Sequence, residues 1–181
     1  MLHKLSKNIL ALLTLVFLAG CTVTGEPHSS DVVFSGEGFT AQNEYRNSIK
    51  IGEVSNFPGT SNFTYSGKLA PNFSDESFKS VLFDSLKNAN LIGSSYTLDA
   101  KLVDGGDWGN WEHSLGRKTR NVKIQYTLKD NERIIFDEVI ESEIYVTSHN
   151  FMKPHYIHQR HVAELNYADN IEQLINKINE L

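Results

Sequence analysis

The chain has one cysteine in 181 residues, Cys21. A single thiol excludes an internal disulfide and any cluster of cysteine metal ligands, so the core must hold by packing. Basic residues are also scarce, 17 against 22 acids, giving a formal charge of −5. That balance argues against nucleic acid or a general anionic lipid surface as the partner. Long apolar runs are missing too. Ile9–Leu18 is broken only by Thr14, but it is about half the length that a membrane-spanning helix needs. There is no Gly-x-Ser-x-Gly elbow. Carboxylate pairs such as Asp104/Asp107 and Glu141/Glu143 are expected by chance among 22 acids. With no catalytic signature in the chain, we expect a protein that is not an enzyme and needs no cofactor.

What is present begins at the amino end. Lys4 and Lys7 precede the apolar run, and Leu18-Ala19-Gly20-Cys21 closes it with small residues before the thiol. A basic start, a short apolar stretch and a small-residue exit are the parts of a secretory signal peptide. Leu18-Ala19-Gly20-Cys21 resembles the lipobox of bacterial lipoproteins. The resemblance implies cleavage before Cys21 and three acyl chains on that residue, enough for stable anchoring. With Thr22 rather than aspartate next, it also implies the periplasmic face of the outer membrane. Removing residues 1–20 takes away two lysines and no acid, leaving 15 basic and 22 acidic residues in a mature chain of 161.

Residues 21–47 read as the lipidated cysteine and a flexible tether. Gly25, Pro27, Gly36 and Gly38 stand among serines and acids there, with Val32, Val33 and Phe34 as the sole apolar cluster. As a coil, Thr22–Gln42 would span about 25 Å and lift the domain clear of the headgroups.

The domain occupies residues 48–181. Ile49 and Ile51 alternate with Lys50 before Val54, which predicts a short strand over Ser48–Asn56. The loop Phe57–Phe73 carries Phe57, Phe63, Tyr65 and Phe73, enough aromatic surface to pack over the core or line a groove. Ser74 caps a predicted helix to Asn90, with Phe78, Val81, Leu82, Leu86 and Ala89 as its stripe. Tyr96, Leu98, Ala100 and Leu102 alternate with polar neighbours, as do Val122, Ile124, Tyr126 and Leu128. Arg133–Ser148 continues with Ile134, Phe136, Ile140, Ile144 and Val146 on one parity. Glu138, Val139 and Ser142 break that parity, which predicts a bulge near the strand's middle. From about Gln159 to Leu181, Val162, Leu165, Ala168, Ile171, Leu174, Ile175, Ile178 and Leu181 recur at helical spacing.

The order strand, helix, three-strand meander, helix predicts an α+β fold. Its simplest form is a single antiparallel sheet of about four strands with both helices on one face. That order behind a lipobox is similar to the small outer-membrane lipoproteins of the YajG kind. It resembles, more loosely, the lipoprotein partners of envelope assembly machines. The resemblance implies binding and assembly roles without chemistry, and transfers no functional residue.

Two stretches could carry recognition. His149, His155, His158 and His161 fall close together, and the last three share one side of a helix that starts near Pro154. Three imidazoles at that spacing could ligate zinc or copper, although Glu164 is the one acid close by on that helix. Both tryptophans, Trp108 and Trp111, lie in the connection Asp104–Asn121, ahead of Arg117 and Arg120. Tryptophan and arginine are enriched among interface hot spots, and a connection this long between neighbouring strands is usually functional. Alternatively the indoles cover the open end of the sheet.

The sequence therefore predicts an outer-membrane-anchored periplasmic lipoprotein that acts as a non-catalytic binding or assembly accessory. Its partners would be the membrane, through its lipid, and another envelope protein, with no nucleic acid. The alternative is a periplasmic ligand- or metal-binding lipoprotein using the His149–His161 stretch.

Overall fold

The computed structural model describes residues 25–60, 71–106, 118–146 and 155–181. The expected lipidation site Cys21 lies outside these residues. The regular elements are β1 (Ile49–Ser55), α1 (Asp75–Asn88), β2 (Tyr96–Asp104), β3 (Lys118–Asp130), β4 (Arg133–Val146) and α2 (His155–Glu180). The strands form one sheet in the order β1-β2-β3-β4.

The α+β class and the element order agree with the sequence, but the sheet is mixed rather than antiparallel. β1 and β2 pair in parallel, while β2–β3 and β3–β4 are antiparallel. The cause is α1. A helix between two strands carries the chain back to where the first strand began, so the second runs the same way. The return is tight: a Cβ at Gly93 would meet the Asn47 carbonyl oxygen at 1.8 Å, so only glycine fits there.

The alternating residues pair in register on one face. Leu98 faces Leu128, Ala100 faces Tyr126, Leu102 faces Ile124, and Ile124 faces Ile140. All of these are buried, together with Phe78, Val81, Leu82 and Leu86 of α1 and Ile171, Leu174, Ile175 and Ile178 of α2. Ser74 caps α1, its hydroxyl accepting from the Ser77 N–H at 3.1 Å. The Asp75 carboxylate beside it takes the Phe57 N–H at 2.7 Å and so ties the preceding loop to the helix start. Phe57 and Phe73 from that loop close over the core. Phe57 stacks on Phe78 with centroids 4.2 Å apart, and Phe73 meets Tyr167 edge-on at 5.1 Å. Phe63 and Tyr65 lie outside the described residues.

Two further expectations need correction. The β4 bulge sits at its start rather than its middle. Phe136 faces Leu128 and Ile134 faces Lys129, leaving Ile135 as the extra residue. Parity flips across a bulge, so Ile134 is turned outward and is 55 % exposed.

The second correction is larger. The segment expected as a tether packs on the domain from Pro27 onward. A short 3-10 turn at Ser29–Asp31 leads into Val32, which is 1 % exposed, and Ala41 and Tyr45 are buried beyond it. The Phe34 N–H donates to the Ser85 hydroxyl at 3.1 Å, and the Asn88 amide donates to the Phe34 carbonyl at 2.9 Å. The Gln42 N–H donates to the Asn179 side-chain oxygen at 2.7 Å. Backbone groups in a glycine-rich stretch need partners once buried, and α1 and α2 supply them.

Candidate functional site

Where the N-terminal segment first meets the domain, it meets charge. Glu164 stands in the third turn of α2 and is only 3 % exposed, which is costly for a carboxylate without partners. Its partners are at hand. The His28 N–H donates to Oε1 at 2.9 Å, and Arg160 Nε lies 3.3 Å from the same oxygen, one helical turn back. His161 Nδ1 is 3.6 Å from Oε2, and His28 Nδ1 is 3.9 Å from Oε1 and 3.5 Å from Asp31 Oδ2. Arg160 Nε is buried and makes no aligned hydrogen bond, so it contributes charge rather than a directed bond.

His28, Asp31 and Glu164 each bring one potential ligand atom to within 4.8 Å of the others, with His161 on the far oxygen of Glu164. Zinc bonds of ~2.1 Å would need those atoms drawn together by a fraction of an ångström to over one ångström. The guanidinium opposes this, because it already supplies positive charge to Glu164 Oε1, which also accepts a backbone N–H. Chemically the cluster is a clasp: a buried anion that holds the incoming chain against α2.

The expected sites are distributed as follows. Of His155, His158 and His161, all three fall on α2, and the structure describes the side chain of His161 alone, exposed beside Glu164. His149 lies outside the described residues. So do Trp108, Trp111 and Arg117; Arg120 stands in β3 opposite Ile144. The structure adds His28 and Asp31, which no local pattern marks, because their partner Glu164 is more than 130 residues away in sequence.

Two surface hollows lie elsewhere. One, of about 390 Å³, opens on the solvated sheet face among Glu53, Ser55, Asn56, Asp99, Gln125 and Thr127. Asp99 organises it. Its Oδ1 accepts the Glu53 N–H at 2.8 Å within the β1 bulge, and Lys129 Nζ donates to its Oδ2 at 2.7 Å. That bond raises Lys129 above the ordinary lysine value. Gly52 makes the approach possible, since a Cβ there would fall 2.1 Å from Asp99 Oδ1. The other hollow, about 540 Å³ and more apolar, runs between β1 and α1 past Ile51, Phe83 and Ile92. Among the described residues, no helix is long and apolar enough to cross a membrane.

No protein-family model matches this sequence, and no curated protein matches it. Solved structures do. The chain is similar to XCC0632 from Xanthomonas campestris, of the DUF330 family, with a TM-score of 0.53 at 8 % identity over 78 % of this chain and 91 % of that one. It is also similar to a "putative lipoprotein" from Caulobacter crescentus CB15, with a TM-score of 0.50 at 12 % identity over 76 % and 92 % of the two chains. At such identities the likeness is one of fold: this chain shares its α+β architecture with both bacterial proteins.

Proposed function

We propose that the chain is a lipoprotein anchored through Cys21 at the periplasmic face of the outer membrane, where it serves as a non-catalytic binding or assembly accessory. The observation that carries this reading is Leu18-Ala19-Gly20-Cys21 at the end of a short apolar leader. The Caulobacter chain of the same fold is itself described as a "putative lipoprotein", which supports the anchor. Support for a role without chemistry comes from the sequence, which has no serine elbow and whose one thiol is committed to lipid.

The partner surface in this reading is Trp108, Trp111 and Arg117, on the connection between Asp104 and Lys118, together with Arg120 near the start of β3. The test is a pull-down from detergent-solubilised envelope beside a denaturant melt. Trp108→Ala with Trp111→Ala abolishes capture of the envelope partner and changes stability by less than about 1 kcal/mol, as for surface substitutions generally. A double mutant that unfolds easily yet still captures its partner contradicts the assignment. A rival site for zinc or copper is the His28–Asp31–Glu164 grouping, where His161 alone of the histidine stretch meets Glu164 and Arg160 opposes a cation. It requires sub-micromolar zinc binding that His161→Ala removes, and our reading predicts that calorimetric titration finds none.

A further inference from the structure

One side of α1 faces neither the sheet nor the N-terminal segment. Glu76, Ser80, Phe83 and Lys87 follow one another at intervals of four, three and four residues, so they form a single stripe along the helix. All four are exposed. Phe83, at 44 % exposure, is the one large apolar side chain that α1 keeps out of the core. It rims the hollow of about 540 Å³ beside the half-buried Ile51 and Ile92. The N-terminal segment lies on another flank of the helix, where it meets Ser85 and Asn88.

An added strand cannot fill this hollow. Residues 91–93 already take the outer edge of β1 at its start. There the Ile49 N–H donates to the Leu91 carbonyl at 2.8 Å, and the Gly93 N–H donates to the Ile49 carbonyl at 2.7 Å. Further along, Lys79 Nζ donates to the Gly52 carbonyl at 3.1 Å. An occupant must therefore dock through side chains, and the stripe presents them in a self-complementary order. It runs acid, small residue, large ring, base. Laid antiparallel against its own copy, the stripe sets Glu76 beside the partner subunit's Lys87 and Ser80 beside the partner subunit's Phe83. Two-fold symmetry repeats both contacts. A parallel copy would set acid on acid and base on base, which repels.

We propose that the occupant is a second copy of this chain: two molecules pair through antiparallel α1 helices about a two-fold axis, and the Phe83 ring of each enters the hollow of the other. A 14-residue helix is about 21 Å long, which places this contact among the smaller dimer interfaces and implies association at micromolar concentration. The assembly does not depend on the anchor, and protein without lipid is expected to dimerise equally.

Sedimentation velocity of the full mature protein in detergent, at about 100 µM, tests this. The wild type is expected to be dimeric. Glu76→Lys and Lys87→Glu should each weaken the dimer about tenfold or more, because each sets two like-charged pairs across the axis. The combined exchange, Glu76→Lys with Lys87→Glu, should restore it. A monomeric wild type overturns the proposal, as does a dimer that survives either single reversal. A combined variant that melts like the wild type yet stays monomeric contradicts the antiparallel pairing. Should that variant melt early, Ser80→Cys decides. A short bismaleimide is expected to link two such chains and to leave Lys101→Cys, on the solvated sheet face, as single chains. Equal linking at both positions, or none at position 80, overturns the interface.

Discussion

Tyr126 and Asn170 hold a polar contact in the middle of the apolar core. The Tyr126 hydroxyl donates to Asn170 Oδ1 at 3.0 Å, and the Asn170 amide donates to the carbonyls of Ile140 at 2.9 Å and Val122 at 3.3 Å. Both side chains are fully buried, so each bond matters chiefly because losing a partner leaves a desolvated group behind. Burial also drives the Tyr126 hydroxyl well above the ordinary tyrosine value, with Tyr167 adding to the rise. The sign follows from linkage. The fold favours the neutral phenol, so its contribution is intact below the unfolded value of about 10 and is lost as pH rises through the folded one. Tyr126→Phe should cost ~1–3 kcal/mol at neutral pH, because Asn170 Oδ1 loses its donor. It should also flatten the loss of stability above about pH 10. Urea melts of both proteins at neutral and alkaline pH check this, and parallel alkaline slopes would contradict it. Alternation in the sequence places Tyr126 inward correctly. Asn170 was invisible to that reasoning, because a search for an apolar stripe passes over an amide whose partners are backbone groups on other elements.

At the scale of elements, α2 does two jobs. Its apolar stripe covers the sheet, and its amides bond to the backbone of β3 and β4. Asn166 Oδ1 accepts the Ile144 N–H at 3.2 Å, and Asn170 and Gln173 donate to the carbonyls of Ile140 and Glu141. Periodicity finds Ile171, Leu174, Ile175 and Ile178 in the core, but it misplaces Leu181, which is exposed. Ile171→Ala and Ile175→Ala should each cost ~2–5 kcal/mol by leaving a cavity. Lys177→Ala should cost no more than ~1 kcal/mol, since its bond to Glu138 at 2.6 Å lies at the surface. Thermal melts of the three proteins separate these effects, and equal shifts would mean that α2 does not dock as described.

The N-terminal segment shows why composition misleads. Glycines and serines resemble a linker, yet Val32, Phe34, Phe39 and Tyr45 pack on the core. Their backbone partners Ser85, Asn88 and Asn179 are remote in sequence, so no window of neighbouring residues displays them.

For the whole molecule, these contacts shorten the free chain ahead of the domain. Read from composition alone, Thr22–Gln42 would be a free coil spanning some 25 Å. The folded chain brings its N-terminal strap under the clasp of Glu164, Arg160 and His161, leaving five residues between Pro27 and Cys21. The class of fold, the helix stripes and three of the strand faces were legible because they depend on local periodicity. The parallel pairing, the clasp and the docked strap were not, because each depends on groups that only the tertiary fold assembles.

The proposed function rests on lipid at Cys21, and the intact mass of protein purified in detergent from a bacterial envelope tests it most directly. We expect a chain beginning at Cys21 that carries a thioether-linked diacylglycerol and one amide-linked acyl chain. Cys21→Ser should show neither, and should remain uncleaved or soluble. A wild-type chain that starts elsewhere, or one with a free thiol at Cys21, would contradict it.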